Sequence, residues 1–511
     1  MTPRRLLIAS FALLVVAALL LITVLNREKP QDDELVVLAQ GAPLTLDPVA
    51  TMELDSAFLG NMVHAPLMRL GADGVLIPVL AKSIMVEADA MSAVIELRSE
   101  AKFWDGSEVR SADVAASLLR LRDSRNPLGF AVNRIGTVEE IDPLRLRVSF
   151  TKPEPDFPRQ VAFLQAAIVK KDSLGLPKQP YDSQVIGAGG WIPEPDSFKA
   201  GSEFRFRRNP GFPEASKTGH LKVVVLSDPQ ARLTALQRGE AQIARLRGPE
   251  VREAMQGSGS GQLRSDLSAF QLHSQSASDA CALLINWKHP VFASLNEASR
   301  RALFNRINQK MPRNLMAATV TGSEPLTSVV PPVALREQRV FQSARDDERS
   351  SATPQLEVEL MAANDAASRE LANLVVGPLR DMGLMARVTL VDIGSMVASV
   401  AGGKHQLCVT YFEMPLPGAE GWLMLFDEST PFSAFGQPLP GIRGAIEVAR
   451  GELDPAKRVQ AWNEVAGKVM AEQTGWVPLL TRKTLVITAD RVSGNFVDQC
   501  GTPVGASWNS H

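Results

Sequence analysis

The hydrophobic positions of this chain change period several times, and each change predicts an element. An apolar run from Leu6 to Leu25 comes first. At a helical rise of about 1.5 Å per residue it reaches about 30 Å, one hydrocarbon core. Arg4 and Arg5 precede it and Asp32, Asp33 and Glu34 follow, so the positive-inside rule leaves the N-terminus in the cytoplasm and the body outside. No small-x-small cleavage site follows directly, because Ala39-Gln40-Gly41 lies inside the strand-like "LVVLAQ". The run therefore reads as an uncleaved anchor, with a cleaved signal peptide as the alternative, and in both cases the body is exported. Asn26 to Glu34 is polar throughout and predicts a leash of at most about 30 Å.

Beyond the leash the periods become those of a globular α/β protein. "LRLRVSF", Leu144 to Phe150, alternates apolar and polar positions as a half-buried strand does. "LEVELM" (Leu356 to Met361) predicts a strand, and Leu371, Leu374, Val375, Leu379 and Met382 then mark one helical face. Gly383 ends that helix and "MARVTLVD" resumes as a strand, which makes a βαβ unit with a parallel sheet. Asp228-Pro229 and Asp454-Pro455 each place a capping aspartate before a proline at the first helical position. The second of these helices carries Val459, Trp462, Val465, Ala466, Val469 and Met470 on one face and is expected to pack on a sheet. "KFWDGSEVRSADVAASLL" predicts a strand end, a tight Asp-Gly turn, and a helix capped by Ser111. "GSGSG", Gly257 to Gly261, reads as a flexible connection, and no internal repeat is apparent.

Composition narrows the function. A chain of 511 residues with 45% hydrophobic and 22% charged positions is long enough for two or three lobes with more than one core. Its 54 basic and 56 acidic residues give a net charge of -2 and are well mixed, so no basic run follows a phosphate backbone and nucleic acid is excluded as a partner. Cys281, Cys408 and Cys500 allow one disulfide and leave one thiol, and spacing does not identify the pair. The 6 histidines lack metal-ligand spacing, the glycines of "GSGSG" and "GAGGW" fit neither phosphate-cradling fingerprint, and no Gly-x-Ser-x-Gly elbow is present. Neither a metal, a cofactor nor an enzymatic activity is expected.

"LRSEAKFWDGSEVRSADVAASLLR" closely resembles the signature of the family 5 extracellular solute-binding proteins, the oligopeptide, dipeptide and nickel binders that serve ABC importers. Further pieces follow in family order: "APLTLDP", "LIPVLAKSIMVEAD", "IGAGGWIPEP", "FRFRRNPGF", "LTALQRGEAQI", "ALLINW", "RRALFNRIN" and "AEQTGWVPLLTRKTLVI". The resemblance implies an α/β, two-lobed periplasmic-binding-protein fold of the three-domain type II kind, here behind an N-terminal transmembrane helix. The implied division is residues 1–25 as cytoplasmic stub and anchor, 26–34 as linker, 35–48 with 184–265 and 475–511 as the core domain of lobe I, 49–183 as its accessory domain, and 266–474 as lobe II. It further implies hinge closure on a small-molecule or peptide solute and delivery to an ABC permease by a monomeric protein facing the periplasm and held at the inner membrane by its N-terminal helix.

Family members that bind peptides place an aspartate, in an Asp-Pro context, against the ligand's α-ammonium group. The corresponding stretch here, "GGKHQLCVTYFEMPLPGAEGWLMLF", has no aspartate; Glu413 and Glu420 are its acids, and Glu420, beside Trp422, is the nearest substitute. Tyr411, Phe412, Trp422 and Trp287 are candidates for the cleft lining, and Asn286 occupies the place of a family asparagine. With 2 Tyr and 7 Trp the cleft is expected to be less polar than usual, and Gln242 stands where an aspartate commonly follows Gly-Glu. These departures leave open a second reading, in which the same fold serves as a tethered sensor or assembly partner with a degenerate cleft.

Overall fold

The computed structural model describes residues 33–510 apart from short internal stretches, among them 257–261, 336–354 and 495–507. The apolar run Leu6 to Leu25 and the GSGSG segment lie outside the described residues. Among those described, no helix is long and apolar enough to cross a membrane.

The first strand, β1 (Glu34–Ala39), begins within the expected linker, at Glu34. Its run LVVLA is apolar without alternation because both faces are covered: Leu35 and Val37 enter one core, Val36 and Leu38 another. Helix α1 (Leu54–Val63) follows. The strands β2 (Ala81–Val86), β3 (Ser92–Leu97), β4 (Ile135–Asp142) and β5 (Arg145–Phe150) then form a separate antiparallel sheet in the order β2-β3-β5-β4. Leu146, Val148 and Phe150 of β5 are buried while their neighbours are not, as the alternation requires.

Helix α2 (Ser111–Arg122) lies against this sheet, with Val114, Leu118 and Leu121 fully buried. Its cap differs from expectation. Arg110 is the N-cap and Ser111 the first helical residue; the Arg110 amide donates to the Asp113 carboxylate at 3.0 Å. That leaves the Ser111 hydroxyl to donate to the Asp142 carbonyl at 2.8 Å, tying the helix to the end of β4. The Phe-Trp-Asp-Gly turn before it is a fastener. The Trp104 indole donates to the Val63 carbonyl at 3.0 Å, and the Trp104 amide donates to the Gly187 carbonyl at 3.1 Å. The glycines of "GAGGW" permit that approach, since a Cβ on Gly189 would stand 2.6 Å from the Met62 carbonyl oxygen.

Apart from two short two-stranded ribbons, Met68–Leu70 with Leu76–Pro78 and Val492–Ser493 with Asn509–Ser510, the other described strands join β1. They are β6 (Trp191–Pro193), β7 (Glu203–Arg208), β8 (His220–Val225), β9 (Ile243–Leu246), β10 (Phe270–Ser276), β11 (Asp279–Ile285), β12 (Ser323–Pro325), β13 (Leu356–Ala363), β14 (Leu384–Val391), β15 (Leu407–Glu413) and β16 (Trp476–Ala489). They build a 12-stranded sheet in the order β14-β13-β15-β11-β16-β9-β1-β8-β7-β6, with β10 and β12 also paired to β16. Gln242 helps to seat β1, its side-chain oxygen accepting from the Val36 amide at 2.8 Å.

Helix α3 (Pro229–Gln237) is capped by Asp228, which accepts from the Ala231 amide at 2.7 Å. The predicted βαβ unit is present: β13, then α4 (Ala366–Asp381), then β14 parallel to β13, with Leu356 opposite Leu384. Asp365 caps α4 by accepting from the Ser368 amide at 2.9 Å, and Gly383 turns out of it at φ +86°. Between β15 and β16 lie α5 (Ile442–Gly451) and α6 (Pro455–Ala471). Asp454 caps α6 as expected, but α6 packs chiefly on α5 rather than on a sheet, because its Val465, Ala466 and Val469 share one core with Ile446 and Ala449 of α5. Cys281 and Cys408 are both buried and free, on neighbouring strands but out of register, and Cys500 lies outside the described residues.

Candidate functional site

Strand β16 serves both halves of the large sheet. Its first half pairs with β11, Leu283 opposite Val477, and its second half pairs with β10, Gln271 opposite Thr488. The chain thus passes between the halves twice, at Ala277–Ser278 and at Thr481–Arg482. These two neighbouring segments are the crossings between the halves.

Charge collects at the crossings. Asp279, 1% exposed, opens β11 and faces β16. Its carboxylate accepts from the Arg482 amide at 3.0 Å and from Arg482 Nε at 3.0 Å, with a further contact from Nη2. Arg482 Nη2 also donates to Glu413 at 3.1 Å, from the last residue of β15, and its guanidinium lies 3.8 Å from the Tyr411 ring centroid. Arg245, at the end of β9, donates to the Thr484 hydroxyl at 3.3 Å and stands 4.0 Å from the other Glu413 oxygen.

Burial dominates the ionisation here. It raises the pKa of Asp279 against the pull of Arg482. It also opposes the Arg482 charge, but the Asp279 and Glu413 carboxylates outweigh it and raise the Arg482 pKa overall. Burial carries the Tyr411 phenol well above its ordinary value. These residues line a cavity of about 40 Å³ with Ala277, Gly322 and Ala367, enough for a few waters. The Tyr411 hydroxyl oxygen is buried there without a hydrogen-bond partner in the structure. A hydroxyl so placed is satisfied by a water in that cavity or by a bound group.

Of the seven residues singled out in the sequence, Tyr411 and Glu413 come together at this junction and five do not. Phe412, between them on β15, faces the opposite side and packs on Trp476 with ring centroids 4.5 Å apart. Trp422 is fully buried and its indole donates to the Ser278 hydroxyl at 3.1 Å, so it braces a crossing from the core side. Asn286 donates to the Gly403 and His405 carbonyls, both at 2.9 Å, and shapes a turn. Trp287 packs edge-on against Phe292. Glu420 is engaged inside the protein: it accepts from Arg450 Nη1 at 2.8 Å and from Gln160 at 3.2 Å. Burial, together with the neighbouring Glu154 charge, pushes its pKa up to about 7 against the attraction of Arg450.

Sequence reasoning missed Asp279, Arg482 and Arg245. Their signal was present: Asp279 opens the apolar run "DACALLI" and Arg482 sits in the polar middle of "WVPLLTRKTLVI", both in central strands where a buried charge needs a partner. No group of His, Cys, Asp and Glu able to hold a metal ion occurs among the described residues.

Comparison with known proteins bears on this geometry. The family model described as bacterial extracellular solute-binding proteins, family 5 middle, matches residues 75–433. The glutathione-binding protein GsiB of Escherichia coli strain K12 is 23% identical over 485 residues, spanning 90% of this chain and 92% of that protein. Among solved structures, the binding protein AgaA of A. tumefaciens R10 in complex with agropinic acid superposes with a TM-score of 0.73 at 19% identity, covering 94% of this chain and 99% of its own. A dipeptide-binding protein from Pseudoalteromonas sp. SM9913 in complex with Met-Leu gives a TM-score of 0.74 at 14% identity, covering 94% and 100%. The mixed α/β, two-lobed architecture is common to all of them.

Proposed function

The chain belongs to the bacterial extracellular solute-binding proteins of family 5, and from that premise we propose that it is the solute-binding component of an ABC importer, with a peptide or peptide-like cargo. GsiB is named for glutathione and the Pseudoalteromonas protein carries a dipeptide, so both point to small peptides. Relatives named for the solutes they bind favour transport over a sensor with an empty cleft. The observation that carries the reading is the gathering of charge at the crossings, where Tyr411, Glu413, Asp279, Arg482 and Arg245 line one cavity.

The cavity as it stands holds only a few waters, and a zwitterion meets that lining once the two halves part. Its ammonium group exchanges into the Glu413 pair and its carboxylate into the Arg482 and Arg245 side, while the Tyr411 hydroxyl gains the partner it lacks. Solute touching both lobes shifts the hinge toward the closed form by its differential affinity for that form, and no bond is made or broken. The segment Leu6 to Leu25 anchors a monomeric body on the periplasmic side of the inner membrane, and the short polar leash keeps it at high local concentration beside the permease. The lobe division of the sequence reading stands within this proposal, with the crossings moved to Ala277–Ser278 and Thr481–Arg482.

Thermal shift and calorimetric titration with glutathione, Met-Leu and tripeptides test the proposal. A solute at about 100 times its Kd adds about 2.7 kcal/mol to stability. Tyr411→Phe should weaken binding by about 5- to 30-fold, the loss of one buried hydrogen bond. The absence of any shift across these classes, or an unaltered affinity in the Tyr411→Phe protein, refutes it.

A further inference from the structure

A second charged cluster joins the small sheet to the second lobe, and it is built from the chain's own residues. Helix α5 brings Arg450 in its last turn, and the guanidinium is buried, with 2% of the side chain exposed. Its Nε donates to the Glu154 carboxylate at 2.6 Å. Nη1 donates to the Phe130 carbonyl at 3.2 Å, the Asn133 side chain at 3.1 Å and Glu420 at 2.8 Å. Nη2 donates to the Ala131 carbonyl at 3.0 Å and to Gln160 at 3.3 Å. Except for Glu420, every acceptor comes from the segment 130–160, which carries β4 and β5 of the small sheet.

The contact is reciprocal. Arg134, from the small-sheet side, donates to the carbonyl of Glu447 at 3.2 Å and to its carboxylate at 2.7 Å, one turn before Arg450 on α5. Lys152 stands 3.1 Å from the same carboxylate. Arg134, Lys152 and Arg450 face Glu154, Glu420 and Glu447. Around it the apolar core is continuous, running from Phe157 and Val161 of one part to Trp422, Ile446 and Ala449 of the other.

A guanidinium whose every N–H group is matched by acceptors across an interface is satisfied only while the interface is formed. We propose that Arg450 is a latch that holds the small-sheet domain against the second lobe, so that this face of the two-lobed body is closed in the solute-free protein and closure there does not wait for solute. Solute then acts at the crossings on a body that is already gathered, and release requires the latch to yield. The inference rests on the two-lobed fold and not on the identity of the solute.

Electron-electron distance measurement on the full chain in nanodiscs tests it, with spin labels at the exposed positions Met85→Cys and Ile393→Cys in a Cys500→Ser background. Without solute the latched protein gives one short, narrow distance, and Arg450→Met shifts most of the population to longer and broader distances. Arg450→Lys, which keeps the charge but loses the fork, gives an intermediate shift. Should Arg450→Met fail to fold, Glu447→Gln, which loosens only the outer contacts to Arg134 and Lys152, should produce a smaller shift in the same direction. A broad solute-free distribution that narrows only on adding glutathione or Met-Leu overturns the proposal, as does a distribution unmoved by both Arg450→Met and Glu447→Gln. A short distance without solute, combined with no response to any peptide, supports the latch while refuting the peptide-binding reading.

Discussion

Glu420 should make the packing of the small-sheet domain on the second lobe depend on pH. Its carboxyl is held at about 7 by burial, with Arg450 opposing and Glu154, Arg134 and Glu447 completing the surroundings, against 4.5 for an ordinary glutamate. A folded pKa above the unfolded one means that the packed form binds the proton more tightly. The resulting stabilisation is full below about pH 4.5 and is lost as pH rises through about 7. With about 1.4 kcal/mol per unit, the loss between pH 5 and pH 8 is on the order of a few kcal/mol. Glu154, whose pKa burial also raises, works in the same direction. Replacing Glu420 by Gln removes the titrating group while keeping an acceptor for Arg450 and for Gln160. Melting midpoints of the wild-type and Glu420→Gln proteins, measured across that pH range, should converge at pH 5 and separate by several degrees at pH 8, with the variant the more stable. Parallel profiles for the two proteins would refute the assignment of the proton to Glu420.

Further consequences are open to measurement. Asp279→Asn removes the buried one of the two carboxylates that Arg482 meets, leaving Glu413, and should cost about 1–3 kcal/mol, read from denaturant midpoints; no measurable loss would show that the pair is solvated. Gly189→Ala should destabilise by more than about 1 kcal/mol, because its Cβ meets the Met62 carbonyl at 2.6 Å, whereas Ala at Gly239, where nothing lies within 4 Å of a Cβ, meets no neighbour and bears only the strain of φ +70°. Burial pushes the Cys408 thiol up to about 12, so a thiol reagent at neutral pH should label Cys408 only after denaturation, and rapid labelling of the native protein would contradict its burial.

Much of the fold was legible in the chain because local signals and tertiary structure agree. Asp228, Asp454, Leu371 through Met382 and Gly383 each act as their spacing requires. The cap at Ser111 was misassigned because two hydroxyl partners compete, and only the position of β4 decides that Asp142 wins. The site was less legible for a physical reason. Tyr411 and Glu413 alternate with Phe412 on one strand, and period two sends Phe412 to the core while its neighbours meet at the crossings. Glu420 and Trp422 sit in the expected stretch, but their partners Arg450, Gln160 and Ser278 are distant in sequence, and no local pattern announces such a pairing. Arg450 itself reads as an ordinary basic residue at a helix C-terminus.

Because β16 pairs in both halves of the large sheet and follows every other strand of that sheet in the chain, neither half can complete its hydrogen bonding before β16 is in place. A truncation anywhere upstream of Trp476 would remove the keel from both lobes at once rather than trim one of them.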